Sequence, residues 1–215
     1  MAKAGRASRT KRATSEAPNA TRRALVDAAI ESLRFDGFAG ASARAIAKRA
    51  GVNPGLIFYH FGSVTELLLA GLEEVGVRRM ARYSAAVDAA GTPAELVAVA
   101  TDVFREDLDE GYVTVLVEMI AGAGSSPALG ERVAALIAPW RAFAQSAVET
   151  IVSQSPLASV VPVGDAAHAV VALYLGLEML SHLDGDREPA LRLFEQAGRL
   201  LNLFGALTAP APRAT

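Results

Sequence analysis

The feature that most limits the possible folds is a succession of helix-like segments separated by short breaks that contain glycine and proline. Ala, Leu, Val, Arg and Glu are abundant, and this composition favours helix over strand. About half of the 215 residues (52%) are apolar, so the chain is long enough to bury a sizeable core. We therefore predict an all-α protein of one or two domains.

Three helices with clear end signals are predicted in the first third of the chain. Residues 21–35 have apolar side chains on one helical face, and Gly37 ends this helix. A short second helix follows Ser42, a good N-cap, and ends in a glycine turn. Asn53 caps a third helix with Pro54 at its first position, where the missing N–H costs nothing.

A longer helix and five further helices are predicted after these. Residues 63–66, Ser-Val-Thr-Glu, have the pattern of a capping box and start a helix that reaches about Ala90. Pro139 should kink or split one of the later helices. The later helices are predicted at about 93–108, 112–122, 128–153, 164–183 and 187–207.

Positive charge is concentrated at the N-terminal end. Residues 1–66 contain eleven Lys and Arg against five Asp and Glu, a net charge of +6, and the remainder has ten against eighteen, a net charge of −8. The first third therefore suits a polyanionic partner. Residues 1–17 have five of the basic residues and no apolar periodicity, which predicts a disordered basic arm. The arm is either a solubilising tail or a further contact with DNA.

Two short helices joined by a glycine-containing turn, with a longer helix before them, have the arrangement of a helix-turn-helix. The second helix of such a motif must be exposed enough to enter the major groove of DNA. Residues 42–61 read Ser-Ala-Arg-Ala-Ile-Ala-Lys-Arg-Ala-Gly-Val-Asn-Pro-Gly-Leu-Ile-Phe-Tyr-His-Phe, and Gly-Ser-Val-Thr-Glu-Leu-Leu follows. This sequence closely resembles the DNA-binding signature of the TetR family over about residues 20–70. The Tyr-His-Phe ending makes the resemblance specific.

The resemblance implies a DNA-binding site made by both helices of the motif. Arg44 on the supporting helix and the start of the recognition helix would lie nearest the groove. Gly55 would let the backbone approach DNA, and Leu56 would contact a thymine methyl group. The aromatic end of the recognition helix would contact phosphates. The implied set is Arg44, Asn53, Pro54, Gly55, Leu56, Phe58, Tyr59, His60 and Ser63.

Two positions depart from the family pattern. Val64 stands where a lysine is frequent and Phe58 where a tyrosine is frequent, and both changes remove a phosphate contact. The basic arm and the free amides after Ser63 would compensate for this loss. Core positions within the motif are predicted at Ile46, Ala47, Val52, Ile57 and Phe61.

The resemblance also implies the organisation and the function of the whole chain. A three-helix helix-turn-helix DNA-binding domain at 18–66 would be followed by a helical ligand-sensing and dimerisation domain at 67–208 and a flexible tail at 209–215. The protein would bind a palindromic double-stranded DNA operator as a homodimer, and a small, largely apolar effector would release it. Most relatives are repressors, so repression is expected by analogy and activation is left open. No cofactor is expected.

Two C-terminal helices have wide apolar faces that resemble a dimer interface, although both faces can instead pack within one subunit. Central helices carry large apolar residues and isolated acids that are candidates for an effector pocket or for ordinary core. The apolar faces are Val170, Leu173, Tyr174, Leu177, Leu180 and Ser181, and Leu191, Phe194, Leu201 and Phe204. The effector candidates are Phe104, Tyr112, Glu118, Met119, Trp140, Phe143, Tyr174, Glu178 and Met179.

Several other classes of protein are disfavoured. The chain has no cysteine, which excludes disulfides, thiolate zinc sites and cysteine nucleophiles. Because it also has no phosphate-binding loop, His-Glu-x-x-His or G-x-S-x-G motif, we expect no enzyme. Glu178 and His182 permit a metal site by spacing, but a solvated helix end explains them better, so no metal is expected.

The charge pattern and the apolar runs bear on the remaining alternatives. A helical adaptor that recognises protein has no need for the concentration of positive charge around one motif. The longest apolar run, Ala166 to Leu177, is too short to span a bilayer, and the basic N-terminus does not have the pattern of a secretory signal. We therefore expect a cytoplasmic protein without a membrane partner.

Overall fold

The computed structural model describes the backbone of residues 4–124, 126–153 and 161–208, and the side chains of these residues except 4–18, 151 and 204–208. Within these ranges every regular element is an α-helix, which confirms the predicted all-α fold. The predicted tail at 209–215 lies outside the described residues. The helices are α1 (Ala4–Gly40), α2 (Ala43–Ala50), α3 (Gly55–Phe61), α4 (Val64–Ala89), α5 (Pro93–Glu110), α6 (Tyr112–Ala123), α7 (Pro127–Ser153), α8 (Val163–Asp184) and α9 (Glu188–Thr208).

The first helix, α1, is longer than the sequence predicts and is broken near its end. Gly37 has φ 70 and ψ 176, which interrupt the helical geometry where the sequence predicts the helix to end. At the other end, residues 4–17 are helical, which differs from the predicted disordered arm. The lack of apolar periodicity means only that this segment has no face to bury, whereas its Ala, Arg and Lys are good helix formers. Residues 1–3 of the predicted arm lie outside the described residues.

Capping residues predicted from the sequence build the turn between α2 and α3. The Ser42 hydroxyl accepts a hydrogen bond from the Ala45 N–H at 3.2 Å and so caps α2. Gly51 ends α2 with φ 68 and ψ 30, in the left-handed region where glycine has no Cβ penalty. The Asn53 side chain accepts a hydrogen bond from the Gly55 N–H at 2.8 Å and caps the seven-residue α3. The geometry of the turn is therefore fixed by local interactions.

The capping box predicted at the start of α4 is formed in part. The Glu66 N–H donates to the Ser63 hydroxyl at 3.1 Å, as predicted. The Glu66 carboxylate binds the guanidinium of Arg132 on α7, with 2.8 Å between Nη2 and Oε2. A charged guanidinium is a stronger partner for a carboxylate than a neutral amide, which explains the difference. A complete box forms at α5, where Thr92 and Glu95 exchange hydrogen bonds of 3.2 and 3.0 Å.

The later helices lie within a few residues of their predicted bounds. α7 runs through Pro139 as one helix of 27 residues, so the proline does not split it. A proline removes one backbone hydrogen bond from a helix, and the flanking turns here retain the helical conformation.

Packing divides the chain into two compact units. The first contains Met1–Gly76 and Thr114–Val133, and the second contains Val77–Val113 and Ala134–Thr215. Residues of α4, α6 and α7 therefore belong to both units. The boundary predicted at residue 66 separates DNA binding from ligand sensing. Packing does not test this functional division, so it stays a prediction. The core of the first unit includes the fully buried side chains of Leu25, Leu33, Ile46, Ile57, Leu67, Leu68, Val115 and Met119.

The core of the second unit is centred on Phe104 of α5. Its ring lies 5.7 Å from that of Tyr174 on α8 and 5.2 Å from that of Phe194 on α9. Leu191 of α9 is buried in the same cluster. Leu191 and Phe194 therefore pack within the unit, which corrects their assignment to a dimer stripe. The side chain of Phe204, from the same predicted stripe, lies outside the described residues.

A different face of α9 and one side of α8 leave large apolar side chains exposed. On α9 these are at positions 193, 200 and 203, which helical spacing places on one side. The apolar run of the sequence lies within the 22-residue α8. By length and composition alone, this helix is long and apolar enough to cross a membrane. Only 11% of its most apolar stretch is buried. The exposed set is Val170, Leu173, Met179, Leu180, Leu183, Leu193, Leu200 and Leu203.

Candidate nucleic-acid interface and effector region

The helix-turn-helix of the first unit has one buried face and one exposed face. Ile46, Ala47 and Ile57 are fully buried, which confirms them as core. Val52 and Phe61, also predicted as core, are only half-buried because they lie at the edge of the motif. The predicted DNA contacts lie on the other face. Arg44, Asn53, Pro54, Gly55, Phe58 and Tyr59 are exposed, and Leu56, His60 and Ser63 are half-buried.

Two of the aromatic residues on α3 are unusually accessible. Tyr59 is 80% exposed and Phe58 is 54% exposed, although large aromatic side chains are normally buried. The Tyr59 ring meets the His60 ring edge-on at 4.9 Å between centroids. An exposed aromatic pair on a short helix is suited to binding a partner that buries the two rings.

Ion pairs distinguish the cations of α2 from one another. The Arg49 guanidinium lies 2.9 Å from the Asp36 carboxylate and 3.5 Å from that of Glu31, both on α1. These carboxylates raise the pKa of Arg49, chiefly through the hydrogen bond with Asp36. Arg49 therefore joins α2 to α1, whereas Arg44 and Lys48 are exposed on the same helix. This leaves Arg44 and Lys48 as the α2 cations best placed for DNA.

Sequence reasoning missed Arg22 of α1 as a candidate. Its guanidinium lies 5.0 Å from the centroid of the Phe61 ring, at the end of the recognition helix, and the residue is exposed. A cation held over an aromatic ring has a defined position, which suits it to contact a phosphate. The available sequence signal was the Arg22-Arg23 pair at the start of the predicted first helix.

Comparison with known proteins identifies the motif. The sequence model described as "Bacterial regulatory proteins, tetR family" matches residues 25–70, which include α2, α3 and the start of α4. A member of the TetR family from Streptomyces coelicolor A3 has a solved structure that is 27% identical and superposes with a TM-score of 0.62. That similarity covers 82% of this chain and 97% of the other. The helix-turn-helix region of this chain is therefore of the TetR-family type.

Two other similarities extend this comparison. The HTH-type transcriptional regulator BetI of Rhizobium meliloti (strain 1021) is 38% identical over 87 residues, which are 40% of this chain and 43% of that protein. The match thus spans less than half of that relative. The transcriptional regulator FadR from Bacillus subtilis, solved in complex with stearoyl-CoA, is 16% identical with a TM-score of 0.69, over 83% of this chain and 96% of that one. This second likeness concerns the fold alone. The TetR family consists of regulators and not of enzymes, which agrees with the expectation from the sequence.

The nine predicted effector residues are divided between the two units. Glu118 and Met119 belong to the first unit, and the other seven belong to the second. Met119 and Phe104 are fully buried core residues, and Met179 lies on the exposed face of α8. The five that share one region of the second unit are Tyr112, Trp140, Phe143, Tyr174 and Glu178.

Glu118 has a partner that the sequence did not predict. Its carboxylate accepts a hydrogen bond from the Phe38 N–H at 2.7 Å. The break at Gly37 removes this amide from the helical hydrogen-bond pattern, so Glu118 satisfies a donor that the break releases. A Cβ at Gly122 would lie 2.6 Å from the Phe38 ring, so α6 approaches this corner closely. Glu118 therefore secures the end of α1, and its role in an effector pocket stays a prediction.

A buried ion pair lies at the centre of the second unit. The Arg79 guanidinium on α4 binds the fully buried Asp107 carboxylate on α5. Asp107 also accepts hydrogen bonds from the Tyr83 hydroxyl at 3.0 Å and from the Tyr174 hydroxyl at 2.8 Å. Its two oxygens thus have three donors. A buried carboxylate with this many donors is well compensated for its loss of water.

Aromatic rings cover the other side of Arg79. The guanidinium carbon lies 4.6 Å from the Trp140 ring centroid and 5.3 Å from that of Tyr112. The Phe143 ring is 6.2 Å from Trp140, edge-on. All three aromatic residues are half-buried, so this edge of the polar network is the accessible one.

Glu178 of α8 is the second acid of this region. It is 1% exposed, and burial raises its pKa to about 7 against the opposing effects of the Arg79 charge and a hydrogen bond with Tyr174. Burial also raises the pKa of Tyr174. Burial therefore favours the protonated form of the Glu178 carboxyl. No group of three or more His, Asp or Glu suited to a metal ion occurs among the described residues.

Proposed function

We propose that this TetR-family regulator binds an inverted-repeat operator as a homodimer, represses transcription there, and is released by a small effector that binds in the second unit. The observation that carries the proposal is the exposed face of the helix-turn-helix. Exposed Arg44 on α2 and exposed Tyr59 on α3 lie in the part of the chain with a net charge of +6. A positively charged recognition motif with accessible aromatic and amide groups fits the major groove.

The proposal of a homodimer is supported by the exposed apolar faces of α8 and α9. Leu173 and Leu180 on α8 and Leu200 on α9 are all more than half exposed in a single chain. Water contact with so many leucines is unfavourable, and a second copy with the same faces would cover them in a four-helix arrangement. A dimer would also present two recognition helices to successive turns of the major groove, as an inverted repeat requires.

Release by an effector is supported by the size and chemistry of the second unit. It contains aromatic residues around a buried ion pair, which a unit needed only for dimerisation does not require. FadR from Bacillus subtilis, which has a similar fold, was solved in complex with stearoyl-CoA, and this supports a ligand with an apolar part. The ligand would act by preferring a conformation in which the two recognition helices are wrongly spaced for DNA.

Binding to genomic DNA in vitro followed by footprinting tests the proposal. We expect a protected site with two symmetric halves about one helical turn apart, roughly 10 base pairs, occupied by two chains. Binding of one chain to a site without symmetry would overturn the proposed homodimer. For any effector identified, the operator must weaken effector binding by the same factor by which the effector weakens operator binding. Equal effector affinities with and without operator would exclude that molecule as the inducer.

The substitution Arg44→Ala tests the direct reading of bases. We expect it to weaken binding to the operator about tenfold to a hundredfold and to relax the preference at one base pair, because a bidentate contact to guanine would be lost. The matched control is Lys48→Ala, which removes an exposed cation from the same helix. It should weaken operator and random DNA alike. Fluorescence anisotropy on both DNAs distinguishes the outcomes, and an equal effect of Arg44→Ala on both would make Arg44 a phosphate contact.

A further inference from the structure

Two buried polar atoms among the described residues of the second unit have no hydrogen-bond partner. They are Oε1 of Glu178 and Nε of Arg79, both inaccessible to water. Nearly all buried polar side-chain atoms in folded proteins are hydrogen-bonded, so each exception needs an explanation. Both residues belong to one cluster, because Arg79 binds Asp107 and the hydroxyl of Tyr174, one helical turn before Glu178, donates to the same carboxylate.

The remaining groups of the network cannot supply the missing partners. The Tyr174 hydroxyl donates its one proton to Asp107 at 2.8 Å, so it can only accept a hydrogen bond from the Glu178 carboxyl. The one proton of the Tyr83 hydroxyl has two acceptors, Asp107 at 3.0 Å and Glu106 at 3.1 Å. The tyrosine protons and the bound edge of Arg79 are therefore used by carboxylates other than Glu178. The network lacks one donor for Glu178 Oε1 and one acceptor for Arg79 Nε.

We propose that these two atoms bind the polar group of the effector, and that this group is neutral and both donates and accepts a hydrogen bond, as a hydroxyl or a primary amide does. The inference rests on the proposed function, since it concerns the effector of the same unit. A hydroxyl placed between the two residues donates to Glu178 Oε1 and accepts from Arg79 Nε–H.

The charges of the network favour a neutral group. Arg79 is already paired with Asp107, so an anionic group would face the Asp107 carboxylate without a free cation to balance it. A cationic group would face the Arg79 guanidinium. A neutral group that completes both hydrogen bonds avoids both repulsions and leaves no buried charge without a partner.

The surroundings indicate an apolar body for the same molecule. Trp140 and Tyr112 lie against Arg79, and Phe143 lies next to Trp140. These half-buried aromatic rings form the accessible edge of the network. They offer apolar surface next to the point where the polar group would bind. The effector is therefore an amphipathic molecule, an apolar chain or ring that carries one hydroxyl or amide.

A set of eight-carbon probes tests this on the full-length protein. Octan-1-ol and octanamide have the required group, methyl heptyl ether has only an acceptor, and octanoate and octylammonium are charged. Trp140 is the chain's single tryptophan and lies against Arg79, so its fluorescence reports binding directly. We expect dissociation constants for the alcohol and the amide at least about tenfold below those of the other three probes. Equal binding of the alcohol and its isomeric ether, or no binding of the alcohol and the amide, would overturn the proposal.

Two variants test whether Glu178 causes the preference for the alcohol over the ether. Glu178→Met should remove the tenfold difference between alcohol and ether, because it removes the acceptor while keeping a side chain of similar length. Glu195→Met, at an exposed position on α9, is the matched control and should keep the difference. Survival of the preference in Glu178→Met contradicts the assignment. The comparison of alcohol with ether is made on the unaltered protein, so it tests the proposal even if Glu178→Met does not fold.

Operator binding without any probe, measured in the same samples, separates this inference from the proposed function. A protein that binds its operator but does not distinguish the probes overturns only the inference. A protein that binds no operator overturns the proposed function.

Discussion

Replacing Asp107 with alanine is expected to destabilise the protein by about 3–5 kcal/mol, the cost of removing one partner of a buried ion pair. The Asp107 side chain is completely buried and holds Arg79, which is itself only 11% exposed. Without the carboxylate, the guanidinium remains in a largely dry environment without its counter-ion, the Tyr174 hydroxyl loses its acceptor, and the Tyr83 hydroxyl keeps only Glu106. Chemical denaturation at one fixed protein concentration measures the change in the free energy of unfolding.

Asp102→Ala is the control for this result. Asp102 pairs with Arg105 on the same helix, but the two side chains are 79% and 44% exposed. An exposed pair of this kind contributes roughly 0–1 kcal/mol at most. A similar loss of stability for both variants would show that Asp107 acts through helix α5 in general and not through the buried pair.

The double substitution Leu173→Glu and Leu180→Glu is expected to convert a dimer into monomers. The two leucines lie on the exposed side of α8, and two charges on that side would have to be buried in any interface formed there. Since one recognition helix reads only a few base pairs, the loss of the second subunit should lower operator affinity by at least about a hundredfold. Analytical ultracentrifugation and fluorescence anisotropy measure the two effects.

Val77→Glu provides the comparison, since Val77 is an exposed apolar residue on α4 and not on α8 or α9. It should leave both the mass of the assembly and the operator affinity unchanged. A double variant that remains dimeric would show that another surface joins the two chains.

The sequence predicted the elements that depend on neighbouring residues. The caps at Ser42, Gly51 and Asn53 are interactions across two to four positions, so their residue types are sufficient to place the ends of α2 and α3. The core positions Ile46 and Ile57 follow from helical periodicity in the same way. Together with the resemblance over the motif, this was enough to predict the helix-turn-helix and its exposed face.

Interactions between distant residues were not predicted. The sequence contains two isolated acids in apolar helices, and nothing local distinguishes Glu118, which binds an amide 80 residues away, from Glu178, which keeps an unpartnered oxygen. The prediction that Leu191 and Phe194 of α9 lie in a dimer interface was wrong for another reason. This helix has two apolar faces, and only packing against Phe104 shows that Leu191 is inside while Leu200 is outside.

The first unit is assembled from two separate stretches of the chain, and this affects how such regulators can be recombined. A chimera that joins the DNA-reading half of this protein to the sensor of a relative through a single junction after Gly76 would leave behind residues 114–133. It would thereby lose Val115 and Met119 from its core and the carboxylate of Glu118 that Phe38 requires. An exchange of the first unit has to move both stretches together, so one crossover does not separate the two units of this protein.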